Sequence, residues 1–132
     1  MRCLLVEDEV MSRLMLKELL PSSFEVDVAV NGEEAIESFN WAHDSKRPYG
    51  LILMDIEMPG IDGYEAAKRI REIECKMGVP PQFEVKIVMT TAHDDPKTVV
   101  DTFNKGGATS FLVKPIAKQK LLMEIRKLGL AS

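Results

Sequence analysis

The sequence is poor in the residues that mark several classes of protein. Its 132 residues include two cysteines, Cys3 and Cys75, which lie far apart in the chain and lack the spacing of metal ligands. We therefore expect two reduced thiols rather than a disulfide or a zinc site. Basic residues are not in excess, because 17 lysines and arginines are set against 21 acidic residues, and the net charge is -4. This balance argues against a surface that binds nucleic acid or an anionic membrane.

Long hydrophobic runs are absent as well. No apolar stretch approaches the roughly 20 residues that a membrane span needs, and the chain turns acidic at Glu7, too early for a signal peptide. On this basis we expect a cytoplasmic protein. Aromatic residues make up only 6% of the chain, but 45% of its residues are hydrophobic, which is enough to form the core of one domain over residues 1–132.

Short apolar runs alternate with segments of helical periodicity along the chain. The short runs predict strands buried in a sheet, and they lie at 2–6, 24–30, 51–55, 85–89 and 111–113. Apolar residues at helical spacing predict helices, at about 10–20, 32–42, 64–76, 96–105 and 117–128. The alternation predicts an α/β fold, a doubly wound five-stranded parallel sheet with five helices on its two faces.

Several local patterns refine this prediction. Residues 24–30 alternate apolar and polar side chains, which favours a strand at the edge of the sheet. Residues 77–84 contain a glycine and two prolines and predict a long loop, while Trp41, the only tryptophan, is expected to be partly packed on its helix. The first helix is predicted to be amphipathic, with a stripe formed by Met11, Leu14, Met15, Leu16 and Leu19.

Residues with reactive side chains stand at the ends of four predicted strands. Glu7 and Asp8 follow the first strand, Asp55 ends the third, Thr91 the fourth and Lys114 the fifth. In a doubly wound sheet the carboxyl ends of the strands meet at one edge, so we expect these side chains to come together. Each also has a simpler explanation: the acids could favour the start of the following helix, the threonine could be a β-former, and the lysine could be a solvated charge.

The residue types suit phosphoryl transfer. Three carboxylates packed together repel one another, and a hard cation such as Mg²⁺, which prefers oxygen ligands, would relieve that repulsion. A carboxylate can also accept a phosphoryl group to form an aspartyl phosphate. A lysine ammonium and a threonine hydroxyl can both bind phosphoryl oxygens.

The ordered set of motifs resembles the receiver domain of two-component response regulators, and in particular the single-domain chemotaxis type. The resemblance covers essentially the whole chain and implies a flavodoxin-like strand order of 2-1-3-4-5. The run from Asp55 to Gly63, D-x-x-M-P-G-x-D-G, is its most specific part. The residues that carry it are Val6-Glu7-Asp8-Glu9, Leu53-Met54-Asp55-Ile56-Glu57-Met58-Pro59-Gly60-Ile61-Asp62-Gly63, Met89-Thr90-Thr91-Ala92 and Phe111-Leu112-Val113-Lys114-Pro115-Ile116.

The resemblance implies a phosphoacceptor and a metal site. Asp55 is the expected acceptor. Glu7 and Asp8 match the acidic pair that holds Mg²⁺ together with Asp55, and the backbone carbonyl of Glu57 is the expected third protein ligand.

The resemblance also implies catalytic and switch residues. Thr91 matches the switch hydroxyl that binds the phosphoryl group, and Lys114 matches the lysine that does the same. The Lys114–Pro115 bond is expected to be cis, and Phe111 matches the aromatic residue that changes rotamer. Glu57 and His93 occupy the two variable positions that tune dephosphorylation.

The function implied is a signalling switch in a two-component phosphorelay. A histidine kinase or a histidine phosphotransfer protein would donate the phosphoryl group, and the surface of the fourth helix, fifth strand and fifth helix would change to control an unknown output protein. The switch would be an enzyme only in catalysing its own phosphoryl uptake and loss. It would act as a monomer or as a phosphorylation-dependent dimer.

Three alternatives remain open at this point. The chain could be a stand-alone regulator or a receiver domain excised from a hybrid histidine kinase. It could be a degenerate receiver used only for docking. A haloacid-dehalogenase-type phosphatase also uses an Asp nucleophile and Mg²⁺ on an α/β sheet, but its nucleophile follows the first strand.

Overall fold

The predicted parallel sheet is present with the predicted strand order. The structure, a computed structural model, describes residues 1–93, 97–98, 100–101 and 107–130. All four strand pairings are parallel and the order is β2-β1-β3-β4-β5, so β2 lies at an edge as predicted. The strands are β1 (Arg2–Val6), β2 (Glu25–Ala29), β3 (Leu51–Asp55), β4 (Lys86–Thr91) and β5 (Ser110–Val113).

Four long helices lie among the described residues. They are α1 (Val10–Leu19), α2 (Gly32–Asp44), α3 (Gly63–Met77) and α4 (Lys118–Lys127). The helix predicted over about 96–105 falls largely outside the described residues. The loop predicted at 77–84 contains a single 3₁₀ turn, Pro81–Phe83, which begins with proline because proline suits the first position of a helix.

Polar side chains cap the first turns of α2 and α3. Asn31 Oδ1 accepts a hydrogen bond from the Glu34 amide at 2.8 Å, and Asp62 Oδ1 accepts one from the Glu65 amide at 2.9 Å. These carboxamide and carboxylate oxygens satisfy amides that have no partner within the helix.

The core has one layer on each face of the sheet. Side chains from β3 alternate between the layers, and all five residues of this strand are buried. One layer combines β1, β3 and β4 with α2 and α3, and includes Leu4, Ile52, Met54, Phe39 and Ile70. The other combines the sheet with α1 and α4, and includes Leu5, Leu53, Leu16, Leu121 and Ile125. Burial on both faces explains why β3 is a continuous apolar run.

The amphipathic α1 is present as predicted, but apolar side chains on α1 and α2 are more exposed than their spacing indicates. The stripe predicted on α1 is only partly buried: Leu16 is in the core, whereas Met11, Leu14 and Met15 are 63%, 55% and 56% exposed. Trp41 is 70% exposed rather than partly packed. Periodicity identifies the apolar face of a helix. How much of that face is buried depends on which neighbouring helices and strands cover it.

Both cysteines are free thiols, as predicted, with Cys3 buried and Cys75 exposed. Among the ranges that the structure describes, no helix combines the length and the apolarity that a membrane crossing requires.

Gly63, the first residue of α3, is required by a close approach of two backbones. A Cβ atom at this position would lie 2.4 Å from the carbonyl oxygen of Asp55 and 2.9 Å from the Cα of Ile56. We expect Gly63→Ala to lower the free energy of unfolding by about 1–2 kcal/mol, because α3 would have to move away from the end of β3.

Chemical denaturation would measure this cost. Gly78→Ala is the matched control, because Gly78 has a left-handed φ of 72° but a Cβ atom added there would meet no described atom within 4 Å. This control should therefore cost only the strain of an alanine at a left-handed φ, about 1 kcal/mol, with no steric clash. Equal stability of Gly63→Ala and the wild type would contradict the steric argument.

Candidate functional site

Three carboxylates meet at the carboxyl edge of the sheet. Glu7 and Asp8 follow β1 and Asp55 ends β3, and one oxygen from each lies within 4.8 Å of the others. Glu7 and Asp55 are buried, at 1% and 5% exposure, whereas Asp8 is exposed. The cluster therefore has a buried base and one open side, where a small ion or a phosphoryl group could enter.

Lys114 supplies the positive charge that the cluster needs. Its Nζ lies 2.7 Å from Glu7 Oε2 and 3.6 Å from Asp55 Oδ1. The backbone amide of Lys114 donates to the carbonyl of Thr91, which ties the residue to the end of β4. The Lys114–Pro115 peptide bond is cis, the isomer that the resemblance implies. The lysine predicted from the end of the fifth strand thus reaches across β4 to the acids.

Electrostatics at Asp55 favour the protonated carboxyl. Burial raises its pKa from 3.8 to about 7, and the nearby charge of Glu7 adds to the rise, while Lys114 and the Glu57 amide act in the opposite direction. The Glu57 amide nitrogen lies 3.3 Å from Asp55 Oδ1. For Lys114, burial lowers the pKa, but the hydrogen bond to Glu7 and the charge of Asp55 outweigh burial and raise it. A further positive charge near Asp55 would therefore lower its pKa and favour the ionised carboxylate.

Thr91, Glu57 and His93 form a second group on the same edge. Thr91 is fully buried, and its Oγ1 donates to Glu57 Oε1 at 3.0 Å. The other carboxylate oxygen, Glu57 Oε2, lies 3.2 Å from His93 Nε2, and the His93 amide donates to Thr91 Oγ1 at 3.0 Å. The two variable positions named from the resemblance are therefore in contact with each other and with the predicted switch hydroxyl.

Phe111 lies on β5, next to β4. It is partly buried and, like Ala108, packs against the core layer that contains Met89. Phe111 pairs in register with Met89, two residues before Thr91 on β4. Thr91 itself pairs in register with Val113, two residues after Phe111 on β5.

Two residues at the site were not predicted from the sequence. Arg13 Nη1 donates to the backbone carbonyl of Glu7 at 3.0 Å. Helix α1 therefore places a guanidinium group next to the backbone of one of the three acids. Glu9 is the N-cap of α1, where its carboxylate accepts from the amides of Met11 and Ser12. The signal for Glu9 was its position, since the third acid in a row directly precedes the helix; Arg13 carried no such signal.

An apolar surface adjoins the acidic cluster. A cavity of about 260 Å³ lies between α1 and the segment after β5, and it is lined by Ser12, Met15, Leu16, Leu19, Lys114, Pro115 and Ile116. Lys114 belongs to both the cavity and the acidic cluster. Met15 in this lining is more than half exposed, and so are Met11 and Leu14 on the same helix.

Comparison with known proteins finds the same domain in several settings. Residues 3–126 match the family model described as the response regulator receiver domain. The rice two-component response regulator ORR41 is 38% identical over 98% of this chain and 95% of its own length. The Bacillus subtilis chemotaxis protein CheY is 33% identical over 96% and 95%. The Dictyostelium discoideum hybrid signal transduction histidine kinase I is 34% identical over 94% of this chain, which spans only 7% of that kinase.

Solved structures agree with the sequence matches. The receiver domain of Saccharomyces cerevisiae Ssk1, in a co-crystal with the histidine phosphotransfer signalling protein Ypd1, is 30% identical with a TM-score of 0.83, over 98% of this chain and 88% of that one. The Thermotoga maritima response regulator TrrA, in complex with Mg²⁺ and BeF, is 32% identical with a TM-score of 0.72, over 96% and 97%. The chain belongs to the response regulator receiver domain family, whose members occur in response regulators and in hybrid histidine kinases.

Proposed function

We propose that this receiver domain is a phosphorylation switch and that Asp55 is its phosphoacceptor. The observation that carries the proposal is the buried Asp55 carboxylate, which has an ammonium 3.6 Å away and two further carboxylates beside it. A nucleophilic oxygen, a cation and acidic ligands thus meet at one place. In the reaction, the P–N bond of a phosphohistidine breaks as a P–O bond to Asp55 forms.

The donor set fits Mg²⁺. Three carboxylate oxygens within 4.8 Å of one another, one of them exposed, are hard ligands with room for water. Glu7, Asp8 and Asp55 would hold the ion, and the backbone carbonyl of Glu57 would complete the protein ligands. The bound ion would neutralise charge on the transferring phosphoryl group.

Lys114 and Thr91 would bind the phosphoryl oxygens once Asp55 is modified. Lys114 has to turn from Glu7 only slightly, because its Nζ is already 3.6 Å from Asp55 Oδ1. A phosphoryl group adds about -1.5 to -2 charges by analogy with phosphoserine, which would draw both side chains toward Asp55. Movement of Thr91 would then be passed to Phe111 on β5 and to the surface of β5, α4 and the helix predicted over about 96–105.

The exposed face of α1 supports a protein as the phosphoryl donor. Met11, Leu14 and Met15 are each more than half exposed, and Met15 lines the cavity that also includes Lys114. Exposed apolar side chains grouped on one helix are typical of a contact surface. The similarity to a receiver domain crystallised with Ypd1 agrees with a histidine phosphotransfer protein or a histidine kinase in this role. The output partner would bind at a separate surface, where β5 and α4 respond to the modification.

Labelling with a small phosphoryl donor tests the proposal. In acetyl phosphate and Mg²⁺, the intact mass of the wild type should rise by one phosphoryl group, and chelation of Mg²⁺ should prevent the change. Asp55→Asn should show no labelling, because an amide cannot act as the nucleophile. Labelling of this variant at the wild-type level would remove Asp55 as the acceptor, and sustained turnover of p-nitrophenyl phosphate would favour a phosphatase instead.

A further inference from the structure

We propose that the Glu57 side chain is a latch that holds Thr91 away from the acceptor in the resting state. This inference rests on the proposed function. It attributes the resting conformation of the Thr91 side chain to one contact. The contact is the hydrogen bond of 3.0 Å from Thr91 Oγ1 to Glu57 Oε1.

The chemistry of the three groups fixes the direction of that hydrogen bond. Thr91 Oγ1 has two partners among the described residues, the Glu57 carboxylate and the His93 amide. A backbone amide can only donate and a carboxylate can only accept. The single hydroxyl proton of Thr91 is therefore committed to Glu57, and Thr91 cannot donate it to a phosphoryl oxygen until the bond to Glu57 breaks.

His93 holds the latch in place from the other side. Its Nε2 lies 3.2 Å from Glu57 Oε2, so the two oxygens of one carboxylate have different partners. His93 is also bonded to Thr91 through its backbone amide, which closes a ring of contacts through the three residues. Breaking the bond between Thr91 and Glu57 therefore opens this ring.

Glu57 links the latch to the acceptor because it contacts both Asp55 and Thr91. Its backbone amide donates to Asp55 Oδ1 at 3.3 Å, so the residue contacts the acceptor through its main chain and the switch hydroxyl through its side chain. Thr91 itself is fully buried. A buried hydroxyl without a partner is costly, so the side chain has two stable arrangements, on Glu57 or on the modified acceptor. Weakening the first arrangement should increase the occupancy of the second.

The test compares two variants that both remove the charge of Glu57. Glu57→Gln keeps an oxygen that can accept from Thr91, whereas Glu57→Met has similar length and no such acceptor. The probe is beryllofluoride with Mg²⁺, titrated by calorimetry after the Mg²⁺ affinity of each variant has been measured alone. We expect Glu57→Met to bind beryllofluoride about three- to tenfold more tightly than Glu57→Gln, the factor that corresponds to one partly exposed hydrogen bond.

A third variant shows whether the effect passes through Thr91. In Thr91→Val the hydroxyl is gone, so the difference between Gln and Met at position 57 should disappear. The NMR shift of the residue 91 methyl group, recorded without beryllofluoride, should change in Glu57→Met and stay near the wild-type value in Glu57→Gln. Equal affinities of the Gln and Met variants, or a difference that persists with Val at position 91, would overturn the latch.

The experiment also separates failure of the latch from failure of the proposed function. If the wild type binds beryllofluoride, Asp55→Asn does not, and the Gln and Met variants are equal, then only the latch is wrong. If the wild type and Asp55→Asn behave alike, the proposed acceptor is wrong and the latch falls with it.

Discussion

Glu74→Ala should lower the free energy of unfolding by about 3–4 kcal/mol, because it breaks the ion pair of a buried carboxylate and leaves the Val85 amide without an acceptor. Glu74 is 1% exposed. One carboxylate oxygen accepts from Arg71 Nη1 and the other from the Val85 amide, both at 2.7 Å. Arg71 in turn donates to the carbonyls of Val85 and Gly107, at 2.8 and 3.0 Å. The pair therefore joins α3 to the start of β4 and to the segment before β5.

Denaturant titration of the purified variants would measure this effect. The matched control is Glu72→Ala, since Glu72 is an exposed acid on the same helix and its removal should change stability by no more than about 0.5 kcal/mol. Similar denaturation midpoints for the two variants would show that Glu74 does not stabilise the contact of α3 with the start of β4.

The second large effect concerns the metal-free acceptor. At pH 8, Asp55→Asn should raise the free energy of unfolding by about 2 kcal/mol, roughly half of what the full pKa shift implies, because solvent screens part of the interaction. The folded protein raises the pKa of Asp55 from 3.8 to about 7 through burial and the charge of Glu7. The ionised carboxylate is therefore less stable in the folded protein than in the unfolded chain.

The pH dependence follows from the sign of this shift. Below pH 4 the carboxyl is protonated in both states and contributes no penalty. Between pH 4 and 7 the folded state binds more protons than the unfolded state, so stability falls as pH rises, and above about pH 7 the penalty is complete. The difference in stability between Asp55→Asn and the wild type should grow over this window.

Thermal melts of both proteins across the pH range would test this, with chelator present to exclude metal. Because the two proteins share every other titrating group, subtraction leaves the contribution of residue 55 together with that of Glu7 and Lys114, whose charges interact with it. A difference that is constant with pH would contradict the raised pKa. Adding Mg²⁺ at pH 8 should stabilise the wild type more than Asp55→Asn, if the acids hold the ion as proposed.

The fold was largely predictable because its signals are local. A strand buried on both faces is a short apolar run, as in β3, and an amphipathic helix has its own period. Right-handed connections between parallel strands then leave few ways to arrange five strands. The boundaries of β2 and α3 were predicted to within two residues.

The composition of the candidate site was predictable for a related reason. Glu7, Asp55, Thr91 and Lys114 stand at strand ends, and a parallel sheet brings strand ends to one edge regardless of how far apart they are in sequence. In the structure the Lys114 ammonium lies 2.7 Å from Glu7, an acid 107 residues earlier in the chain. These residues were already expected to lie close together. The resemblance to receiver domains then suggested what each of them does, as phosphoacceptor, metal ligand or switch residue.

The remaining contacts could not be predicted because they depend on which surface another element covers. Glu74 has the sequence context of a solvated helix residue, yet the start of β4 buries it against Arg71. Met11 and Leu14 have the spacing of core residues, yet no described element covers them.

The sequence by itself determined the order of strands and helices and the identity of the reactive residues, since both follow from periodicity and from chain order. Only the tertiary structure decided that Glu57 accepts a hydrogen bond from Thr91 and that Met11, Leu14 and Met15 on α1 are exposed. The reason is that a hydrogen bond of 3.0 Å requires side chains from two strand ends to meet, and residue spacing along the chain does not encode that distance.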